Sequence, residues 1–152
     1  MAGNILNKGY TATLASKLTT ELNSLADGSV TALGTEVDNT TDLDDVMDGE
    51  LNLASYTMNS TAAYCTLYLI PSLDGTNYPD WNSGAKGNYH DQYAVATLRV
   101  YPSGAAGTKR AEVTAVPIPP CKFKLAIGNF TTVNLAGSGN TFGIRKYAKS
   151  YT

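Results

Sequence analysis

From residue 45 onward, the apolar side chains of this chain recur at a spacing of two, and proline or glycine closes run after run. The clearest case is residues 121–127, where Cys121, Phe123, Leu125 and Ile127 alternate with Lys122, Lys124 and Ala126. A period of two places successive side chains on opposite faces of an extended backbone, which a helix of period 3.6 cannot reproduce. The same signature covers residues 45–56, through Val46, Met47, Leu51 and Leu53, with Gly49 placed as a bulge. Residues 63–70 put Tyr64, Thr66, Tyr68 and Ile70 on one face and Cys65, Leu67 and Leu69 on the other. Further strands are expected over residues 93–100 and 111–116. Residues 133–135 and 142–147 are expected to pair as a hairpin around Gly137, Ser138, Gly139 and Asn140. Residues 102–107 read as an exposed loop, and Pro117, Ile118, Pro119 and Pro120 as an extended connector.

Seven or eight short strands separated by turn chemistry predict an all-β fold, a single antiparallel β-sandwich of jelly-roll or Greek-key type. No βαβ pattern interrupts them. The 152 residues fit one domain large enough to bury a core without staples. Residues 1–10, polar and carrying Gly3 and Gly9, read as an extended N-terminal arm, with the sandwich over residues 11–152. Residues 11–26 give two conflicting signals. Leu14, Leu18, Leu22 and Leu25 recur at helical spacing before Gly28, while the threonine-rich middle equally permits a strand.

Charge narrows the functional classes. Charged residues make up 16 % of the chain, against about 25 % in an average soluble domain. The net charge is −2 and no basic run occurs, so no nucleic-acid footprint is present. No stretch approaches the roughly 20 apolar residues of a membrane span, and residues 1–10 carry no signal-peptide pattern. Synthesis and folding in a cytoplasm are therefore expected, with Cys65 and Cys121 as reduced, buried thiols. The triplets headed by Asn39, Asn59 and Asn129 match the glycosylation pattern by chance in so Thr- and Asn-rich a chain.

No catalytic constellation emerges, and no enzyme activity or cofactor is expected. His90 is the single histidine, and no G-x-S-x-G elbow supplies a nucleophile for it. It reads as a solvated or contact-making loop residue between Tyr89 and Asp91. Asp38, Asp42, Asp44, Asp45, Asp48 and Glu50 crowd a short stretch, but apolar residues occupy the alternating ligand slots of an EF-hand. Solvated loop and strand-start positions are expected there, and no metal. The Gly137–Asn140 run precedes a strand rather than a helix, so it is a turn and not a phosphate cradle.

The long loop that follows Pro71 and ends near Gln92 concentrates Tyr78, Trp81 and Tyr89 among Asn77, Asp80, Asn82, Asn88 and Asp91, with Tyr93 just beyond. Loops of this length in a compact domain generally make contacts. Packing of at least two of the aromatics, a protein-interface anchor, and a sugar-stacking surface all fit these residue types.

Three groups of segments carry a resemblance. They are Leu25, Ala26, Asp27, Gly28 and Ser29 with Val37 to Asp42; Leu67 through Pro71 and Asp74-Gly75-Thr76-Asn77 to Tyr78; and Val116 to Pro120, Phe123 to Leu125 and Gly137 to Thr141. Together they resemble a family of small proteins encoded among the virion structural genes of tailed phages and prophages, over most of the chain between Leu22 and Tyr147. The resemblance implies a β-sandwich in the virion, as a capsid decoration (cement) protein or a neck or tail component. Its expected partners are the major capsid protein or other virion proteins, and virion symmetry favours a homo-oligomer. No binding residues come with it. From position and chemistry, the expected contacts are Ala2, Asn4, Ile5, Leu6 and Tyr10 of the arm, and Tyr78, Trp81, Tyr89 and His90 of the loop.

Overall fold

The computed structural model describes residues 13–148, Asn59 excepted. The expected arm contacts Ala2, Asn4, Ile5, Leu6 and Tyr10, and the arm boundary itself, lie outside the described residues. Among the described residues, nine strands form two antiparallel sheets: β1 (Ala15–Leu18), β2 (Ser29–Val30), β3 (Val46–Met58), β4 (Tyr64–Ser72), β5 (Gly84–Ala85), β6 (Ala94–Arg99), β7 (Ser103–Pro117), β8 (Lys122–Phe130) and β9 (Thr141–Tyr147). One sheet has the order β1-β9-β3-β7 and the other β5-β2-β8-β4-β6. With the two-residue β5 set aside and the other eight renumbered, these orders become 1-8-3-6 and 2-7-4-5. That is jelly-roll topology, two interleaved Greek keys. The all-β sandwich expected from the alternation is what the chain forms.

The alternation works as the pattern requires. Cys65, Leu67 and Leu69 of β4 and Phe123, Leu125 and Ile127 of β8 meet Met47, Leu51 and Leu53 of β3 and Phe142 and Ile144 of β9 in one buried core. Each such side chain contributes roughly 1.5–3 kcal/mol by leaving water. Leu18 and Leu22 complete one side of that core. They come from the ambiguous segment 11–26, which is neither wholly helix nor wholly strand: β1 is followed by a single 3-10 turn, Thr20–Leu22.

Three local expectations need correction. Residues 133–135 are not a strand, so no hairpin surrounds Gly137 to Asn140. Instead Leu135 N–H bonds to Leu25 O at 3.0 Å and Ser24 N–H to Ala136 O at 2.9 Å, tying this loop to the one after β1. Asn129 and Asn140 enforce the path. Asn129 Nδ2 donates to the Leu25 and Val133 carbonyls at 2.9 and 2.8 Å, and Asn140 Nδ2 donates to Ala136 O at 2.7 Å. Second, residues 103–107 belong to β7 rather than to an exposed loop, because pairing with β3 (Met58 with Ser103, Tyr56 with Gly107) overrides their weak strand propensity. Third, the irregularity near Gly49 lies across from it. Met47 pairs with Val116 and Gly49 with Val113, so the extra residue is on β7, where Ala115 adopts φ 54.

Candidate functional site: the outer face of the five-stranded sheet

Along β4, the side chains of Tyr64, Thr66, Tyr68 and Ile70 point away from the sandwich core. Only the first two stay uncovered. Tyr68 and Ile70, with Val30 and Ala126, form a second buried cluster, against which Leu33, Tyr78, Trp81 and Tyr93 pack. The long loop therefore folds back over one end of the sheet and seals it.

Each turn of that loop has a specific fastening. Asp74 opens it: its carboxylate accepts the N–H groups of Thr76 and Asn77 at 2.8 and 2.7 Å, and Asn77 Nδ2 at 2.7 Å, around Gly75 at φ +75. Bonds from the Asn77 backbone first, and then from its side chain and Thr76, hold this carboxyl far below the usual carboxylate range. Tyr78 donates to Glu36 at 2.6 Å while Lys124 Nζ lies 4.6 Å from the centre of its ring. Desolvation, and then the Glu36 carboxylate, push the Tyr78 phenol above its ordinary value. Trp81 commits its single N–H to Thr31 O at 2.8 Å.

His90 is the centre of the fastening. It is fully buried, with its ring 4.4 Å from Trp81 and 4.0 Å from Tyr89 between centroids. Its Nδ1 accepts the Gly87 N–H at 2.9 Å, which leaves Nε2 to donate to Asn82 O at 3.0 Å. The expectation of a solvated or contact-making histidine is thus overturned. Burial against two aromatic rings and use of both ring nitrogens within the loop make it a local structural pin. Of the four loop residues expected to touch a partner, His90 has no exposure, Tyr78 and Trp81 are half-buried in the second cluster, and Tyr89 alone is well exposed, at 44 %. Packing of at least two aromatics, one of the alternatives open from sequence, is what the loop does.

Beside the sealed end lies a hollow of about 300 Å³ lined by Tyr64, Thr66, Tyr68, Lys86, Asp91, Ala94, Thr97 and Phe130. The rings of Tyr64 and Phe130 stack at 5.2 Å with an interplanar angle of 27°. Lys86 and Asp91 form an ion pair at 2.7 Å. Sequence reading missed Phe130, Thr97 and Lys86: the register of β4 with β6 and β8 sets the first two beside Tyr64 and Thr66, and the pairing of β5 with β2, with the Lys86 N–H bonded to Gly28 O at 2.9 Å, brings in Lys86. The available signal was an aromatic residue, Phe130, three residues beyond the most regular alternating run and on its opposite phase.

The acidic residues expected to be solvated divide into separate structural duties. Asp38 accepts the Thr40 N–H and hydroxyl at 2.9 and 2.7 Å. Lys146 Nζ lies 3.2 Å from Asp42 Oδ2 and 3.9 Å from Asp44 Oδ2. Asp44 and Asp48 are buried, against expectation, Asp48 because Arg145 reaches it with two bonds at 3.0 and 2.8 Å. Among the described residues, no three histidine, cysteine or acidic side chains converge as metal ligands. Cys65 and Cys121 are free; Cys65 is buried, its thiol pushed up to about 12 by desolvation, while Cys121 is half-buried. No helix among the described residues is long and apolar enough to cross a membrane. Comparison with protein-family models, with curated proteins and with solved structures finds no match to this chain in any of the three.

Proposed function

We propose that this chain is a structural protein of a tailed-phage virion, a decoration (cement) subunit on the outer face of the capsid. The observation that carries the reading is where the segments resembling virion proteins fall: they supply the pinned corners of a jelly roll. Asp27 accepts the Thr132 N–H at 2.9 Å, and Asn39 spans Asp44 O and Pro119 O at 2.9 Å each. Asp74 and Asn140 fasten two further loops. Residues of this kind specify a rigid body rather than a reaction. Jelly rolls recur in viral capsids, which adds weight by analogy of fold alone.

The mechanism is mechanical. A rigid sandwich bridging neighbouring capsomers adds buried area to the assembled shell and stabilises it by mass action, without chemistry. The partners are the major capsid protein and further copies of this chain, and residues 1–10 act as a tether that reaches across the capsomer surface. Removing residues 1–10 weakens capsid binding and leaves the melting temperature of the domain unchanged; equal binding by the truncated protein rejects the tether.

The deciding measurement is copy number in purified virions, by quantitative mass spectrometry against the major capsid protein. A stoichiometry comparable to the capsid protein supports decoration. A small fraction of it moves the protein to the neck or tail, and absence from the particle overturns the virion reading.

A further inference from the structure

The register of the five-stranded sheet sets three rows across its outer face. Phe130, Tyr64 and Arg99 lie abreast, then Gly128, Thr66 and Thr97, then Ala126, Tyr68 and Ala94. Large rings thus stand in the first and third of these rows, at Tyr64 and Tyr68 of β4, and the row between them is small. At about 3.3 Å per residue, the Tyr64 and Tyr68 positions are roughly 13 Å apart, which leaves a trough one side-chain row wide. Its span over three strands is two interstrand spacings, or about 10 Å.

Gly128 is buried beneath two of these rings, and Thr66 and Thr97 are the floor that stays open. A Cβ on Gly128 would stand 2.7 Å from Phe130 Cε2 and 3.1 Å from Tyr68 Cε2, so both rings lean in over bare backbone. One wall is the Tyr64–Phe130 stack, and the opposite wall is the Lys86–Asp91 pair. Asp91 lies next to His90 in the pinned loop, whose Trp81–His90–Tyr68 ring contacts fix that wall in place.

We propose that this trough binds a saccharide, taking one uncharged sugar ring against the Tyr64–Phe130 wall. The apolar C–H face of a pyranose matches an aromatic face, and its hydroxyls need donors and acceptors close by. Thr66 and Thr97 supply hydroxyls on the floor, Lys86 supplies donors and Asp91 acceptors. The Lys86 and Asp91 charges cancel, which suits a polyol and disfavours a phosphate, for which cationic groups alone would line the wall. A length of about 10 Å holds a single ring and excludes an extended peptide, which needs about 3.3 Å for every residue. The inference stands apart from the virion reading: it concerns the isolated domain, and its failure leaves the capsid assignment untouched.

The test is a printed oligosaccharide array probed with the purified full-length chain. A backbone-amide NMR titration with the methyl glycosides of glucose, galactose and N-acetylglucosamine follows, in the millimolar range. Binding is expected, with shifted amides clustered at Tyr64, Thr66, Thr97 and Phe130. Tyr64→Ala should weaken it about tenfold, the worth of one lost ring stack. Thr97→Lys changes an exposed residue on the edge strand β6, so it fills the trough without touching the core, and it should abolish binding. Tyr101→Ala, 82 % exposed and outside the trough, should bind like the wild type. No binding to the array or to any of the three glycosides overturns the proposal, as does undiminished binding by Thr97→Lys.

Discussion

The Asp48 carboxylate of β3 accepts the backbone N–H of Ala115 in β7 at 2.9 Å, across 67 residues of sequence. Ala115 is the extra residue of a bulge and adopts φ 54, a left-handed conformation that costs a non-glycine residue about 1–2 kcal/mol. The bulge leaves its amide without a ladder partner, and Asp48 supplies one. The same carboxylate accepts two bonds from Arg145 and one from the Tyr147 hydroxyl at 3.1 Å, which joins β3, β7 and β9 at one point.

Replacing Asp48 by alanine removes the acceptor of those four bonds and leaves a largely buried guanidinium beside a strained bulge. The expected loss is about 3 kcal/mol, read as a lower urea midpoint at unchanged m-value. A midpoint shift too small to resolve would show that the network is mere decoration of the sheet surface.

The same residue sets part of the acid limb. Burial raises the Asp48 carboxyl, but the Ala115 amide, Arg145 and Tyr147 outweigh it and leave the pKa below its ordinary value. A carboxyl depressed in the folded state contributes stability that is whole above the unfolded value of about 3.9 and fades as pH falls toward the lowered one. Stability measured from pH 6 down to pH 2 (about the range of carboxylate titration) should therefore fall less steeply in Asp48→Asn than in the wild type. Asp74 and Asp38 are also lowered, by hydrogen bonds to Asn77 and to Thr40, so some acid sensitivity remains in the variant.

His90→Ala deletes the pin of the loop, costing about 2 kcal/mol from lost hydrogen bonds and ring packing. The chain has one tryptophan, so its fluorescence reports the event directly. Trp81 emission should shift to the red and become open to iodide quenching well before global unfolding. An unchanged spectrum would mean that the Trp81 bond to Thr31 holds the loop by itself.

Two glycines should respond with opposite signs. A Cβ on Gly49 would lie 2.6 Å from Phe142 Cζ, within the core, so Gly49→Ala should cost about 1–3 kcal/mol by overpacking. Gly107 in β7 has open space at that position, and Gly107→Ala should raise stability by about 0.4–1 kcal/mol through the unfolded chain. Calorimetry on the pair separates packing from backbone entropy.

The thiols should react in sequence. At neutral pH the native protein should take up one equivalent of a thiol reagent, at half-buried Cys121, and the second only on unfolding, because Cys65 is enclosed and its thiol is pushed up to about 12. Modification of both in the native state would mean that the core opens at the end of β4.

Much of the fold was legible because strand alternation is a local property. Phe123, Leu125 and Ile127 faced inward wherever their partners came from, and the period of two sufficed to predict a two-sheet, all-β domain. The failures came where a distant group decided the local path. Residues 133–135 looked like a strand until Asn129 and Leu25 took their hydrogen bonds. Residues 103–107 looked like a loop until β3 paired with them.

The candidate site was less legible for the same reason. Sequence singled out Tyr78, Trp81, Tyr89 and His90 as an aromatic-rich loop, yet nothing local says whether such rings face solvent or a sheet. Val30, Tyr68, Ile70 and Ala126 formed an apolar patch on the outer side of the sheet, and burying that patch is what drew the loop down. Likewise Tyr64, Phe130 and Thr97 share a trough only because the β8-β4-β6 register brings them side by side. Periodicity and turn chemistry were written in the sequence by itself; which outward face became a second core and which stayed an open trough was decided by contacts between residues far apart in the chain.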